Sequence, residues 1–507
     1  MVDRSWVRWG RRLRPGRTAL VAALLFGGVL ASRAPFVSQT LWAHDSVLYA
    51  NALERGFHVD DALSDQRPHP PGYIFYLAAA GAARTVGLGS NEALVLVSAI
   101  ASALATLGVF LLARRWMRDG AAFITALAYA ANPLVWQYSE IAYPYAVLAL
   151  GSLFVAACCL ESRGRGVARA VAASVAFGIA GGFRQDLLLL LLPLWVWSVA
   201  PLGRRALAPT AGLALGCAAW FVPTALLSGG VGEYLDALRG QASYVSGTYS
   251  ISGQGVPALL ANLGATSWAV GWGLFVMAPL ALAGAVVAAR RLVTTRRMDD
   301  PGRIGQDAAF FFLWTLPPLA VYVVVHIGEW GYVLSALPGL YLLGGRALEQ
   351  LAILARARRR QLYLAASSVL VGLPALYFVA APIPFSAAAV AGHDVALSTR
   401  VAYVRDNYQP RTTLILTRED FLLVRYYLPE FRSRQYDPEP FTRGLRRMRA
   451  GRVEKIVVFT DGLVADRQLD VRRVLCRKGV ELVYMDVMPG SVLEFKGERY
   501  AIASPAP

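Results

Sequence analysis

Asp45 is the first residue of the chain placed to do chemistry, in the stretch LWAHDSVLYANALERG. Apolar Leu41, Leu48, Tyr49 and Leu53 are interleaved there with His44, Asp45 and Asn51, the pattern of an amphipathic helix lying at a membrane boundary. A carboxylate between the headgroup zone and solvent can take the proton of an incoming hydroxyl, which is the work of a general base. From position alone, the simpler reading is an ordinary solvated acid at a helix start. Glu140, in WQYSEIAYPYAVLAL, is a second carboxylate between two apolar runs. Arg184 and Asp186, in GFRQD, form a charged pair at a hairpin between two others. Charges at such depth are selected for function or for bracing the hairpin, and both readings stand.

The elements that must position these residues are membrane helices. Of 507 residues, 56% are hydrophobic and 16% charged, more apolar surface than a soluble core of this size uses. The net charge of +17 would suggest nucleic-acid binding in a soluble protein, but its placement excludes that reading. Arginines cluster between apolar runs: Arg8 to Arg17, Arg114 to Arg118, Arg163 to Arg169, Arg204 and Arg205, Arg290 to Arg297, Arg356 to Arg360. Clusters of this kind mark cytoplasmic connections. Three cysteines lie in apolar spans and Cys476 stands alone, so neither a disulfide framework nor zinc spacing is present.

With the arginines inside, spans are expected near 18–37, 92–112, 121–138, 143–160, 167–183, 187–201, 206–227, 266–289, 308–326, 331–348 and 362–382. The segment 70–88 is apolar but holds Arg84 and several glycines, and a crossing there would move the later arginine clusters outside. It is therefore read as a helix at the outer interface. The expectation is an α-helical polytopic membrane protein of about eleven transmembrane helices, occupying 1–384, with long outer connections at 38–91 and 228–265. The second connection, rich in Gly, Ser and Tyr, is read as a lid or a solvated loop. Its setting would be a bacterial inner membrane, with the N-terminus cytoplasmic.

From 385 to 507 the pattern becomes soluble. Runs at Thr412–Thr417, Lys455–Thr460 and Val480–Val487 read as strands, separated by helical segments at Asp420–Leu428, Phe441–Ala450 and Val471–Lys478. That alternation predicts a small outer α/β domain with a largely parallel sheet. FTDG at Phe459–Gly462 reads as a polar turn at a strand end, or less economically as a nucleotide contact.

The early outer acid in His44-Asp45-Ser46 with Tyr49 and Gly56, the entry Pro68-His69-Pro70-Pro71-Gly72-Tyr73, and the later Tyr332-Val333-Leu334 to Leu337-Pro338 together resemble the C-type, polyprenyl-phosphate-dependent glycosyltransferases. The chain looks most like the branch of protein O-mannosyltransferases and lipid A aminoarabinose transferases. The resemblance implies transfer of a sugar from a polyprenyl-phosphate carrier, with inversion, to a glycan, lipid or protein acceptor at the outer face. Asp45 matches the family's catalytic acid, with His44 beside it and Glu140 as a second acid. The leaving phosphate is weakly basic, so cationic help matters more than a general acid. Arg67 and His69 in QRPHPP, Arg184 and His326 are the candidates for that help, and Tyr73, Asp186, Glu329 and Tyr332 complete the expected binding residues. The family often has Arg directly before the tyrosine at Tyr332, where this chain has Gly331. No ligand spacing calls for a metal, and a divalent ion contributed at His326 or Glu329 is left open. Trp330 would stack on a sugar or anchor the interface.

Two other classes fit the same pattern: a transporter or flippase of lipid-linked saccharides, and a non-catalytic envelope assembly protein. Transporters commonly carry internal repeats and mid-span charges, whereas no repeat is evident here and the charges gather at the outer ends.

Overall fold

The computed structural model describes residues 15–60, 66–295, 303–354, 359–382, 384–417, 420–435, 455–459, 481–484, 492–495 and 498–501. The helices in chain order are α1 (Pro15–Arg33), α2 (His44–Arg55), α3 (Ile74–Arg84), α4 (Ser90–Ala113), α5 (Asp119–Ala131), α6 (Pro133–Gln137) and α7 (Tyr145–Ser162). They continue with α8 (Val167–Phe183), α9 (Asp186–Val199), α10 (Leu207–Leu227), α11 (Val231–Tyr249), α12 (Ile251–Gln254) and α13 (Val256–Leu274). Then follow α14 (Ala278–Thr295), α15 (Arg303–Val324), α16 (Leu337–Leu354), α17 (Arg359–Ala380) and α18 (Ala387–Asn407). The strands are β1 (Thr413–Thr417), β2 (Arg432–Gln435), β3 (Lys455–Val458), β4 (Glu481–Tyr484), β5 (Val492–Phe495) and β6 (Glu498–Ala501), with α19 (Phe421–Tyr427) between β1 and β2.

Two compact units emerge, one comprising residues up to Ser38 with Ala50–Ala391, the other Gln39–Tyr49 with Gly392–Pro507. The division is not a single cut at 384, because a short stretch of the first connection belongs with the C-terminal part. Hydrogen bonds explain its allegiance. Asp394 on α18 accepts from the Gln39 amide at 2.8 Å and the Thr40 hydroxyl at 2.6 Å, and the Leu41 amide donates to the Tyr427 hydroxyl at 2.8 Å.

The first unit is a helical membrane bundle. Seven apolar stretches are long enough to cross a bilayer among the described residues, two of them, Asp186–Leu227 and Val256–Arg290, each taking in more than one helix. Interhelical contacts sort the helix ends into two sets. At one end Glu161 pairs with both Arg115 and Arg165, Arg118 pairs with Glu349, and Arg163 donates to the Trp197 carbonyl. At the other end Arg33 donates to the Ala130 carbonyl, the Ser38 amide donates to the Glu140 carbonyl, and Phe36 and Trp136 pack on Phe378. We call these the arginine end and the site end. These contacts place the ends of α4, α5, α7, α8, α9 and α16 at the arginine end and the ends of α1, α5 and α17 at the site end.

Close packing within the bundle uses small residues where backbones meet. A Cβ on Gly178 of α8 would sit 2.6 Å from the Leu213 carbonyl oxygen, and one on Gly216 of α10 would sit 2.9 Å from the Gly178 Cα. α3 has only 11 residues, about 16 Å of helix, too short to cross the ~30 Å hydrocarbon layer, as the reading of 70–88 requires.

Three expectations need correction. The single span placed at 266–289 is two helices, since Phe275 adopts a left-handed φ of 47° and ends α13. α13 stays at the site end: Asn132 donates to the Trp272 carbonyl, and Trp268 lies 4.6 Å from Trp330. The connection 228–265 is helical, in α11, α12 and the start of α13, because its small polar residues tolerate helix when Gly230 and Gly255 supply the breaks at φ 126° and 65°. The span expected at 331–348 begins as a 3-10 turn, Trp330–Ser335, before α16.

In the second unit β1 to β4 form a parallel sheet in the order β2-β1-β3-β4, while β5 and β6 pair antiparallel. The sheet and α19 match the expected alternation. The helical segments read at 441–450 and 471–478, and most of FTDG, lie outside the described residues. Leu414, Ile415, Val457, Leu422 and Val424 make its buried apolar interior.

Candidate functional site

Arg184 is the centre of the site. It follows α8 in an extended conformation, and Asp186 begins α9 two residues later, so the hairpin turns both side chains to the same place. The guanidinium forks onto the carboxylate, Nη2 to Oδ2 at 2.7 Å and Nε to Oδ1 at 3.2 Å, and the Asp186 Oδ1 also accepts the Leu187 amide at 3.1 Å. Arg184 is 2% exposed. Its remaining faces meet three rings: Tyr73 and Tyr145 at 4.8 Å each, and Tyr332 at 5.3 Å. One carboxylate and three π faces compensate the desolvated cation.

The tyrosines continue outward. Tyr145 packs 5.3 Å from Tyr332 and 5.1 Å from Tyr138, and Tyr332 packs 5.4 Å from Tyr322. The Tyr138 hydroxyl donates to Glu329 Oε2 at 3.1 Å, and Tyr322 is hydrogen-bonded to the Ser335 hydroxyl at 2.7 Å. Burial, followed by the charge of Glu329, raises the Tyr138 phenol well above its ordinary value, so it remains a donor. Gly331 has a steric reason: a Cβ there would lie 2.6 Å from the Tyr145 Cδ2 and closer still to its Cγ. An arginine before Tyr332 would have to displace that ring. The guanidinium beside Tyr332 arrives instead from Arg184.

Tyr73 is positioned by the strained entry to α3, with φ of +50° at Tyr73 and +97° at Gly72. The Pro71 carbonyl accepts from the Tyr234 hydroxyl at 3.1 Å, tying this entry to α11. Upstream, buried Asn51 donates to the Gln66 carbonyl at 2.9 Å, fixing the left-handed residue just before Arg67. Arg67 and His69 are half-buried on this loop, His69 Nδ1 lying 2.7 Å from the Pro70 carbonyl. His326, past the end of α15, stacks on Tyr249 at 4.4 Å and stands 6.5 Å from Tyr332. Burial pushes its pKa below the usual histidine value, which keeps the ring neutral near pH 7.

Glu140 is fully buried, and its charged neighbour is Arg33. Arg33 lies over the Trp136 ring at 4.3 Å. Burial raises the Glu140 pKa, with Arg33 opposing.

His44 and Asp45 belong to the second unit, in the first turn of α2, both half-buried. Ser46 secures that turn, accepting from the Ala43 amide at 2.9 Å, and an acid at this position suits the helix dipole. Trp42 packs on His393 at 4.5 Å. The structure thus brings together Tyr73, Arg184, Asp186, His326, Glu329 and Tyr332 in the first unit, with Arg67 and His69 on the loop leading to Tyr73. Tyr138, Tyr145, Tyr249 and Tyr322 were not foreseen, although each lies at or near a helix end on the outer side of the expected topology. No group of three His, Cys, Asp or Glu among the described residues is arranged to hold a metal ion.

The chain is similar to the crystal structure of ArnT from Cupriavidus metallidurans bound to undecaprenyl phosphate, with a TM-score of 0.52 and 16% identity over 92% of this chain and 89% of that one. Apo ArnT from the same organism gives 0.51 at 17% identity, over 86% and 89%. The apo oligosaccharyltransferase of Archaeoglobus fulgidus gives 0.50 at 13% identity, over 85% of this chain and 66% of that chain. No family model and no curated protein matches the chain. At these identities the likeness is one of fold, and the fold is the one the resemblance to C-type glycosyltransferases implies.

Proposed function

We propose that the protein is an integral-membrane glycosyltransferase that takes a sugar from a polyprenyl-phosphate carrier and passes it to an acceptor at the outer membrane face. The observation that carries this reading is the tyrosine-lined Arg184–Asp186 centre at one end of a helical bundle. A fold shared with a protein that binds undecaprenyl phosphate supports the choice of carrier.

In this mechanism Asp45 takes the proton of the acceptor hydroxyl as its oxygen attacks the anomeric carbon. The bond from that carbon to the carrier phosphate oxygen breaks, and the phosphate leaves with the electron pair from the opposite face, inverting the configuration. Arg67 and His69 contact the departing phosphate. Arg184 carries its counter-charge in Asp186, so its main task is to hold the rings of Tyr73, Tyr145 and Tyr332. His326 and Glu329 border the same centre, and Glu140 supports the helix ends that frame it.

The test is transfer from a polyprenyl-phosphate sugar by purified protein. Asp45→Asn is expected to lower kcat by about 10²- to 10⁴-fold, the range of a positioned general base, with little change in donor binding. Transfer at the wild-type rate by this variant would remove the assignment.

A further inference from the structure

The last turns of α11 carry side chains that the reaction above does not use. In its first half Tyr234 and Leu238 pack with Val59, Ala225 and Phe221. Tyr244 and Tyr249, toward its end, are 55% and 37% exposed, with rings 5.8 Å apart at 84° and hydroxyls 3.2 Å apart. Asn262 of α13 donates to the Tyr249 carbonyl at 3.0 Å, which fixes this end of the helix. The Tyr249 ring stacks on His326 at 4.4 Å, and His326 stands 6.5 Å from Tyr332 of the Arg184 centre. Tyr249 thus joins an exposed aromatic shelf to the buried site. Ser243, Ser246 and Thr248 lie exposed on the same turns, and each hydroxyl can both donate and accept. Residues 240–289 contain no Asp, Glu, Lys, Arg or His. The shelf therefore offers rings and hydroxyls, and no charge of its own.

We propose that this shelf binds the acceptor, and that the acceptor is an uncharged saccharide, one ring of which packs on Tyr244 and Tyr249. The inference rests on the transfer reading and adds the acceptor class to it. The C–H face of a sugar ring is weakly positive and suits the negative face of a phenol, while the hydroxyls at its rim match those of serine and threonine. An acidic glycan or a phosphate finds no counter-charge on this stretch. Continuity with the centre through His326 gives the shelf its place beside the reaction.

Full-length protein in mild detergent, applied as a dilution series to an array of neutral oligosaccharides ending in glucose, galactose, mannose, arabinose or N-acetylglucosamine, acidic oligosaccharides, and Ser/Thr-containing peptides, tests the site. A neutral oligosaccharide should be retained above the acidic ones and the peptides. Its affinity should fall about tenfold in Tyr244→Ala and in Tyr249→Ala and stay within about threefold in Tyr249→Phe, which keeps the ring. Tyr244→Ala alters an exposed position, so it decides the matter even if Tyr249→Ala does not fold. Retention of no neutral oligosaccharide, preference for acidic glycans or peptides, or undiminished binding in folded Tyr244→Ala and Tyr249→Ala overturns the proposal, the last outcome making the rings an interfacial anchor. Binding of undecaprenyl phosphate to the same protein, measured by native mass spectrometry, separates the two readings. Carrier bound without any neutral oligosaccharide removes the acceptor class and leaves transfer standing, whereas an oligosaccharide bound through Tyr244 and Tyr249 without carrier leaves a saccharide site and removes transfer.

Discussion

Glu140 and His326 show how burial divides the duties of polar residues around one membrane site. Burial pushes the Glu140 carboxyl pKa up, and Arg33 opposes the shift. An amide mimics its protonated form, so Glu140→Gln is expected to keep transfer within about threefold of wild type, whereas a general base loses at least 10²-fold. Steady-state kinetics separates these outcomes, and the larger loss would return Glu140 to the chemistry. His326 titrates below its unfolded value of about 6.5. Its contribution to stability is therefore complete above about pH 6.5 and is lost as the pH falls toward the folded pKa, while the unfolded chain takes up the proton first. His326→Phe retains a ring against Tyr249 but cannot be protonated. Between pH 7 and 5.5 its apparent Tm should fall less than that of the native protein, and equal falls would show that acid acts elsewhere. At this scale the sequence was readable for charge and only partly for contact. Arg184 and Asp186 could be paired from two-residue spacing, but the tyrosines around them come from α3, α7 and the turn before α16, and no local pattern joins those.

The elements divide by whether hydropathy alone defines them. α4, α7 and α10 are long apolar runs, and their expected limits nearly coincide with the helices found. The merged span at 266–289 failed because hydropathy averages across Phe275, whose left-handed backbone ends one helix without any polar residue to mark it. The edge strand β2, RSRQ, escaped notice because its charges suit an exposed edge but not an apolar strand pattern. Contact between α8 and α10 is the strictest of the packed pairs, since Gly178 and Gly216 meet backbone to backbone. Gly216→Leu adds four carbons where none fits. The helices must separate, at a cost of about 1–3 kcal/mol or more, and Trp220 loses its bond to the Gly178 carbonyl, now 2.9 Å. The expected result is a Tm lower by several degrees in fluorescence-detected size exclusion, with Gly264→Ala, an open position on α13, unchanged.

Across the whole molecule, function depends on which end of the bundle faces which compartment, and that is a claim about the chain rather than any residue. The arginine pairs at 114–119, 161–165 and 349 gather at one end, and the tyrosine centre occupies the other. Under the proposed function, the positive-inside bias would put the site at the outer face, where a lipid-linked sugar would be presented. Segment 70–88 is the point on which this parity turns, and the 11 residues of α3 suit a helix that does not cross. Exposed positions report the orientation directly: Arg165 at the arginine end, where its pair with Glu161 is solvated, and Ser243 on α11. In a Cys476→Ser background, with the remaining cysteines in helices α7 and α10, Ser243→Cys should react with a membrane-impermeant maleimide in intact cells, and Arg165→Cys only after permeabilisation. The reverse pattern would turn the site toward the cytoplasm. Asp45 would then stay a carboxylate on α2, but the acceptor and carrier would have to meet on the other side of the membrane, and the proposed reaction would lose its compartment.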